Sequence, residues 1–300
     1  MFRGSFAALI TPFKEDGSLD LPALETLVSW HVEEGTDVLV VCGTTGESPT
    51  LSEEEHLTIF EVAIKIAAGR MKVVAGTGTY DTRKSVERTE KALRLGADAA
   101  LVVIPYYSRP TFAGCLAHFR EIGKVGLPTI IYYHPGRAGI RLTAEQLGEI
   151  GALPGMAGIK DASGAVDFIE TLQKHTSLPI YSGDDTLALE HLKRGAKGVV
   201  SIVANIVPRR WKEMIHLALE GRFTEAEAIY TCLLPLCQSL VIETNPQGVK
   251  YAAHLLGKVA PYLRLPLIEP RPATKQAIAE AMQHICHKTQ RTIKHSASST

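Results

Sequence analysis

The residue that stands out chemically is Lys160, which closes the apolar run Met156-Ala-Gly-Ile-Lys160. Burying an ammonium at a strand end is costly, so the position favours the free amine, the nucleophile that adds to a carbonyl. Schiff-base chemistry then needs a hydroxyl to move protons to and from the carbinolamine. Tyr106, Tyr107, Tyr132 and Tyr133 end or follow two other apolar runs, and Thr44 and Thr45 follow a third, where they could link two phenols into a relay. Arg137, on a Pro-Gly-Arg turn, has the planar fork for two-point binding of a carboxylate. Gly183-Asp184-Asp185 completes the set. Each has a plainer reading: a lysine that snorkels or pairs with Asp161 or Glu47, core tyrosines with one satisfied hydroxyl, a solvated loop arginine.

These residues share one kind of place, just after an apolar run. In 33–43, 94–107 and 193–205 a glycine ends a helix and a β-branched run follows at once, the αβ turn of a parallel sheet. Similar runs at 6–11, 72–76, 128–133, 156–160 and 179–182 bring the total to eight, with amphipathic segments between most of them. The pattern predicts an α/β fold, a (β/α)8 TIM barrel over residues 1–205 with its site at the C-terminal strand ends; a doubly wound open sheet is the alternative. Beyond it, helical segments near 208–220, 223–241, 246–256 and 272–287 predict a C-terminal helical extension over 206–290, and the polar residues 291–300 read as a disordered tail.

Lys+Arg and Asp+Glu are equal at 32 each, with no basic stripe, which argues against nucleic acid as a partner. No apolar run reaches membrane-spanning length, and the five cysteines form no CxxC pair, so free thiols in the cytoplasm and no structural metal are expected. The Gly76-Thr-Gly78-Thr-Tyr80-Asp81 segment lacks the third glycine of a dinucleotide loop, and Asp81 reads as an N-cap. His284 and His287 have no carboxylate or cysteine frame for a metal. No cofactor is called for.

Four motifs in order, GTTGESPTLSEEEH (43–56), VVIPYYSRPTFAG (102–114), GIKDASG (158–164) and SGDD (182–185), then Asn245-Pro246, resemble the pyruvate-dependent class I aldolases, which include dihydrodipicolinate synthase and N-acetylneuraminate lyase. The resemblance runs from Gly4 to about Leu267. It implies that Lys160 forms the imine with pyruvate, Tyr132 carries the proton, and Thr44 connects Tyr132 to a Tyr107 that reaches across a dimer interface. It also implies that Thr45 holds the pyruvate carboxylate, with Gly183 and the backbone near Val200 at the intermediate, in a homotetramer acting on pyruvate and an aldehyde. Paired threonines and Arg137 favour the synthase branch, where the arginine would hold the carboxylate of aspartate semialdehyde. Tyr133-His134 stands where synthases commonly read Asn-Val, which leaves open another aldehyde, or a dehydratase or deaminase acting on a related 2-oxo acid. A catalytically silent barrel is the reading from a different class. Tyr80 and Lys84 replace the Asn and Glu common in lysine-inhibited members, which predicts weak feedback.

Overall fold

The computed structural model describes residues 2–283; His284, Cys286, His287 and the expected tail at 291–300 lie outside the described residues. Eight parallel strands close into a barrel in sequence order: β1 Gly4–Ala8, β2 Val38–Val41, β3 Lys72–Gly76, β4 Ala99–Val103, β5 Thr129–Tyr133, β6 Met156–Asp161, β7 Ile180–Ser182 and β8 Gly198–Ser201. The closing pair is β1 with β8, Phe6 opposite Val200. The open-sheet alternative is thereby excluded.

Because strand side chains alternate, each run splits into two sets. Phe6 and Ala8, Val38 and Val40, Ala99 and Leu101, Ile130 and Tyr132, with Val74, Tyr181 and Val200, fill the barrel interior. Their neighbours Ala7, Leu39, Val41, Ala100, Val102, Ile131, Tyr133 and Ile159 pack outward under the helices. Both sets are apolar, which is why the runs read as continuous rather than alternating. Lys160 follows outward-facing Ile159 and so has inward parity, level with Tyr132 on β5 and Tyr181 on β7. Gly158 leaves room for the Tyr181 ring, whose Cε2 would lie 2.6 Å from a β-carbon there.

The helices start where their caps dictate. Ser52 and Thr143 each form a reciprocal capping box, with Glu55 and Gln146, and Asp81 caps 82–95 through the Lys84 amide. Gly76 and Gly78 serve strand contact: a β-carbon would lie 2.1 Å from Cys42 O at the first and 2.5 Å from Val103 N at the second. After β8, the helix Pro208–Leu219 packs on β1 and completes the outer ring, and Phe223–Ser239 lies against it. Gln247–Leu255 and a helix over 272–283 follow. No helix among the described residues is long and apolar enough to cross a membrane.

The chain beyond the barrel is tied to the loop after β2 by buried charge. Glu47, with φ 57°, pairs with Lys250, whose Nζ also donates to Tyr262 O at 2.9 Å. The second Glu47 oxygen accepts the Arg264 amide at 3.0 Å, and Arg264 itself clamps Glu55 with two bonds of 2.5 and 2.6 Å. Burial pushes the Lys250 ammonium down to about 8 even with Glu47 beside it.

Candidate active site

The C-terminal ends of the strands enclose a cavity of about 510 Å³. Its wall contains Thr44, Thr45, Tyr132, Arg137, Lys160, Gly183 and Val200, seven of the eight residues to which the family resemblance gives a role. Three parts of the chain far apart in sequence meet here, the loop after β2, the strand ends of β5 to β8, and the segment 241–245. A recess of about 50 Å³ lined by Cys42, Ser48, Val103 and Tyr106 shares Thr44 and Tyr132 with it.

Lys160 is buried at 7 % exposure, and its Nζ lies 4.0 Å from the centre of the Tyr132 ring. Neither carboxylate of the plainer reading holds it: Glu47 is taken by Lys250, and Asp161 turns to the Ser163 amide and hydroxyl. Among the described residues no ion pair includes Lys160. Gly183 makes room for it, because a β-carbon there would sit 2.8 Å from Lys160 Cε and 2.9 Å from Ala162 Cβ. Burial raises the Asp161 carboxyl to about 6.

Thr45 is buried and its hydroxyl accepts from Asn245 Nδ2 at 3.0 Å. Arg137 reaches the same residue, with Nη2 3.5 Å from Asn245 O, so the asparagine joins the two groups expected to hold carboxylates. The sequence offered Asn245-Pro246 only as a motif in order; its bridging role depends on a contact 200 residues away. His134, Arg141, Ser163 and Asp184 also line the cavity.

Tyr107 lines neither recess: it sits at φ 67° with 90 % of its surface exposed, outside the cavity of its own chain, as a residue expected to serve a neighbour would be. One expectation needs correction. Tyr133 is absent from the acceptor side. Being one residue past inward-facing Tyr132, it points outward, packs on Phe168 at 5.6 Å, donates to Leu142 O at 3.0 Å and accepts from Leu142 N at 3.2 Å. Of the Tyr133-His134 pair, only His134 meets the cavity.

Among the described residues no group of three or more His, Cys, Asp or Glu is arranged to hold a metal. A buried primary amine beside a phenol, with hydroxyls and an arginine around an open cavity, can form an imine with a carbonyl compound that carries a carboxylate.

Comparisons with known proteins agree with that chemistry. The model of the dihydrodipicolinate synthetase family matches residues 1–285. The chain is 42 % identical to 4-hydroxy-tetrahydrodipicolinate synthase of Thiobacillus denitrificans over 94 % of this chain and 96 % of the relative. The crystal structure of dihydrodipicolinate synthase from Aquifex aeolicus superposes with a TM-score of 0.91 at 43 % identity, covering 94 % of this chain and 97 % of that one. The Acinetobacter baumannii dihydrodipicolinate synthase complexed with pyruvate gives 0.93 at 38 % identity, covering 95 % and 99 %.

Proposed function

The chain belongs to the dihydrodipicolinate synthetase family, and from that premise we propose that it condenses pyruvate with L-aspartate 4-semialdehyde to 4-hydroxy-tetrahydrodipicolinate. The observation that carries the reading is Lys160, buried at the cavity wall with its Nζ over the Tyr132 ring and, among the described residues, no carboxylate paired to it.

The Lys160 amine attacks C2 of pyruvate to give a carbinolamine, and loss of water leaves the imine. Tyr132 passes the protons of these steps, with Thr44 next to it on the cavity wall. Thr45, fixed by Asn245, binds the pyruvate carboxylate, while Gly183 and the backbone at Val200 bound the imine on the other side. A proton leaves the pyruvate methyl group, and the resulting enamine attacks the aldehyde carbon, whose oxygen takes up a proton. Arg137 holds the semialdehyde carboxylate. The substrate's own amine then attacks the imine carbon, closes the ring and frees Lys160. With Tyr133 facing the helices, the case for a different 2-oxo acid or a dehydratase rests on His134 alone.

Tyr107, exposed in the single chain, is assigned to a neighbour's site in a homotetramer built as a dimer of dimers. The cysteines among the described residues are free thiols, in keeping with a cytoplasmic enzyme.

A coupled assay with pyruvate, aspartate semialdehyde and dihydrodipicolinate reductase, following reduced nicotinamide, tests the reading. Turnover with kcat/KM of about 10⁴ M⁻¹s⁻¹ or more is expected. Negligible turnover with borohydride still trapping pyruvate on Lys160 would keep the imine and reject the acceptor; no trapping would reject both and favour the silent barrel.

A further inference from the structure

His134 stands at the entry to the turn that carries Arg137, and its ring lines the cavity. The Arg137 amide is shared between His134 O at 3.0 Å and His134 Nδ1 at 3.3 Å. A ring nitrogen that faces an N–H is an acceptor, so in the neutral ring the proton resides on Nε2. The imidazole meets the Tyr132 ring edge-on, with centroids 6.1 Å apart. Burial is the main cause that keeps it uncharged, and the nearby cations Arg137 and Lys160 add to this, with Asp184 opposing; together they bring it down to about 4. The cavity therefore has a neutral donor in the same wall as the residue that forms the imine and the residue that binds the acceptor's carboxylate.

We propose that His134 is a specificity-determining residue for the second substrate, its Nε2–H donating to the semialdehyde carboxylate beside the Arg137 guanidinium. The inference rests on the condensation proposed above. A neutral donor adds a directed bond at this place without adding positive charge beside Lys160, which has to present a free amine to react. Because Nδ1 accepts from the Arg137 amide, the imidazole is anchored to the turn that carries the guanidinium.

Two variants separate this role from simple support of Tyr132. His134→Phe keeps an aromatic edge against Tyr132 and removes the donor; His134→Gln removes the ring and restores an N–H. With His134→Phe, KM for aspartate semialdehyde is expected to rise about 10- to 100-fold, the range for losing a hydrogen bond to a charged group. KM for pyruvate and borohydride trapping of pyruvate should not change. His134→Gln should recover most of the loss. The opposite ranking, with His134→Phe near wild type and His134→Gln impaired, would overturn the proposal and leave His134 as packing for Tyr132. Slower trapping of pyruvate in both variants would also overturn it, because the effect would then lie on the imine. If the wild-type enzyme itself fails to turn over aspartate semialdehyde while trapping pyruvate, the acceptor assignment falls and the role of His134 falls with it; normal wild-type turnover beside unaltered variants rejects His134 alone.

Discussion

Gly183 and Lys160 are matched across β6 and β7: a β-carbon at residue 183 would lie 2.8 Å from Lys160 Cε and 2.9 Å from Asp161 O. The amine reaches its position over the Tyr132 ring only because residue 183 has no side chain. Gly183→Ala should therefore fold yet displace the nucleophile. A misplacement of the order of an ångström costs about 100-fold, so kcat/KM and the rate of borohydride trapping should both fall by about that factor. Normal trapping with Gly183→Ala would show that the lysine has room to spare.

The exposed Tyr107 gives a test by mixing subunits. Tyr107→Phe should lower kcat by about 10²-fold, the scale of one proton-transfer group, and Lys160→Ala should abolish turnover with the circular dichroism spectrum unchanged. If Tyr107 serves a neighbour, hybrids of the two inactive variants contain sites with both native groups, and part of the activity returns on mixing. No recovery in demonstrably hybrid oligomers would place Tyr107 outside the reaction.

The Lys250 pair predicts a stability effect. Lys250 has no exposed surface and is the partner of an equally buried Glu47. Lys250→Met strands that carboxylate and should cost roughly 3–5 kcal/mol. Adding Glu47→Gln removes the stranded charge, so urea unfolding of the double variant should show much of the loss restored. A double variant no more stable than the single one would mean that the pair's worth lies in its contacts to Tyr262 and Arg264.

Acid should destabilise the fold through its histidines. Burial is the first cause that holds His31 at about 3 and His56, His118 and His134 at about 4. A depressed imidazole takes up its proton more readily in the unfolded chain, so stability is intact above about 6.5 and is lost as pH falls toward those values. Asp161 and Asp185, raised to about 6 by burial, act in the opposite sense and gain stability over part of the same window. Four imidazoles outweigh two carboxyls, so the melting temperature should drop between pH 6.5 and 4. His118→Gln should flatten the slope; a profile flat over this range would contradict the burial assigned to these rings.

Feedback by lysine should be weak. Tyr80 is exposed and edge-on to Tyr106 at 5.5 Å, and Lys84 is an exposed cation where a ligand's ammonium would be repelled. Micromolar lysine should leave the rate unchanged in the coupled assay, and inhibition in that range would refute the argument.

The chain's own order of apolar runs, three of them introduced by a helix-ending glycine, determined the barrel, because a strand covered on both faces must be apolar throughout. The same logic located Thr44, Thr45, Tyr132, Lys160 and Gly183, since every barrel strand ends at the one rim. What only the tertiary structure decided are facing and partner. Adjacent tyrosines at 132 and 133 look alike in an unbroken apolar run, yet alternation sends one to the cavity and the other to Leu142. Glu47 is a possible partner of Lys160 on the sequence alone, but Lys250, some two hundred residues away, takes it. Asn245 likewise gains its role from Thr45 and Arg137. Local sequence carries the period of an element and the chemistry of a side chain, whereas which groups meet is settled by closing the barrel and folding the C-terminal helices over its rim.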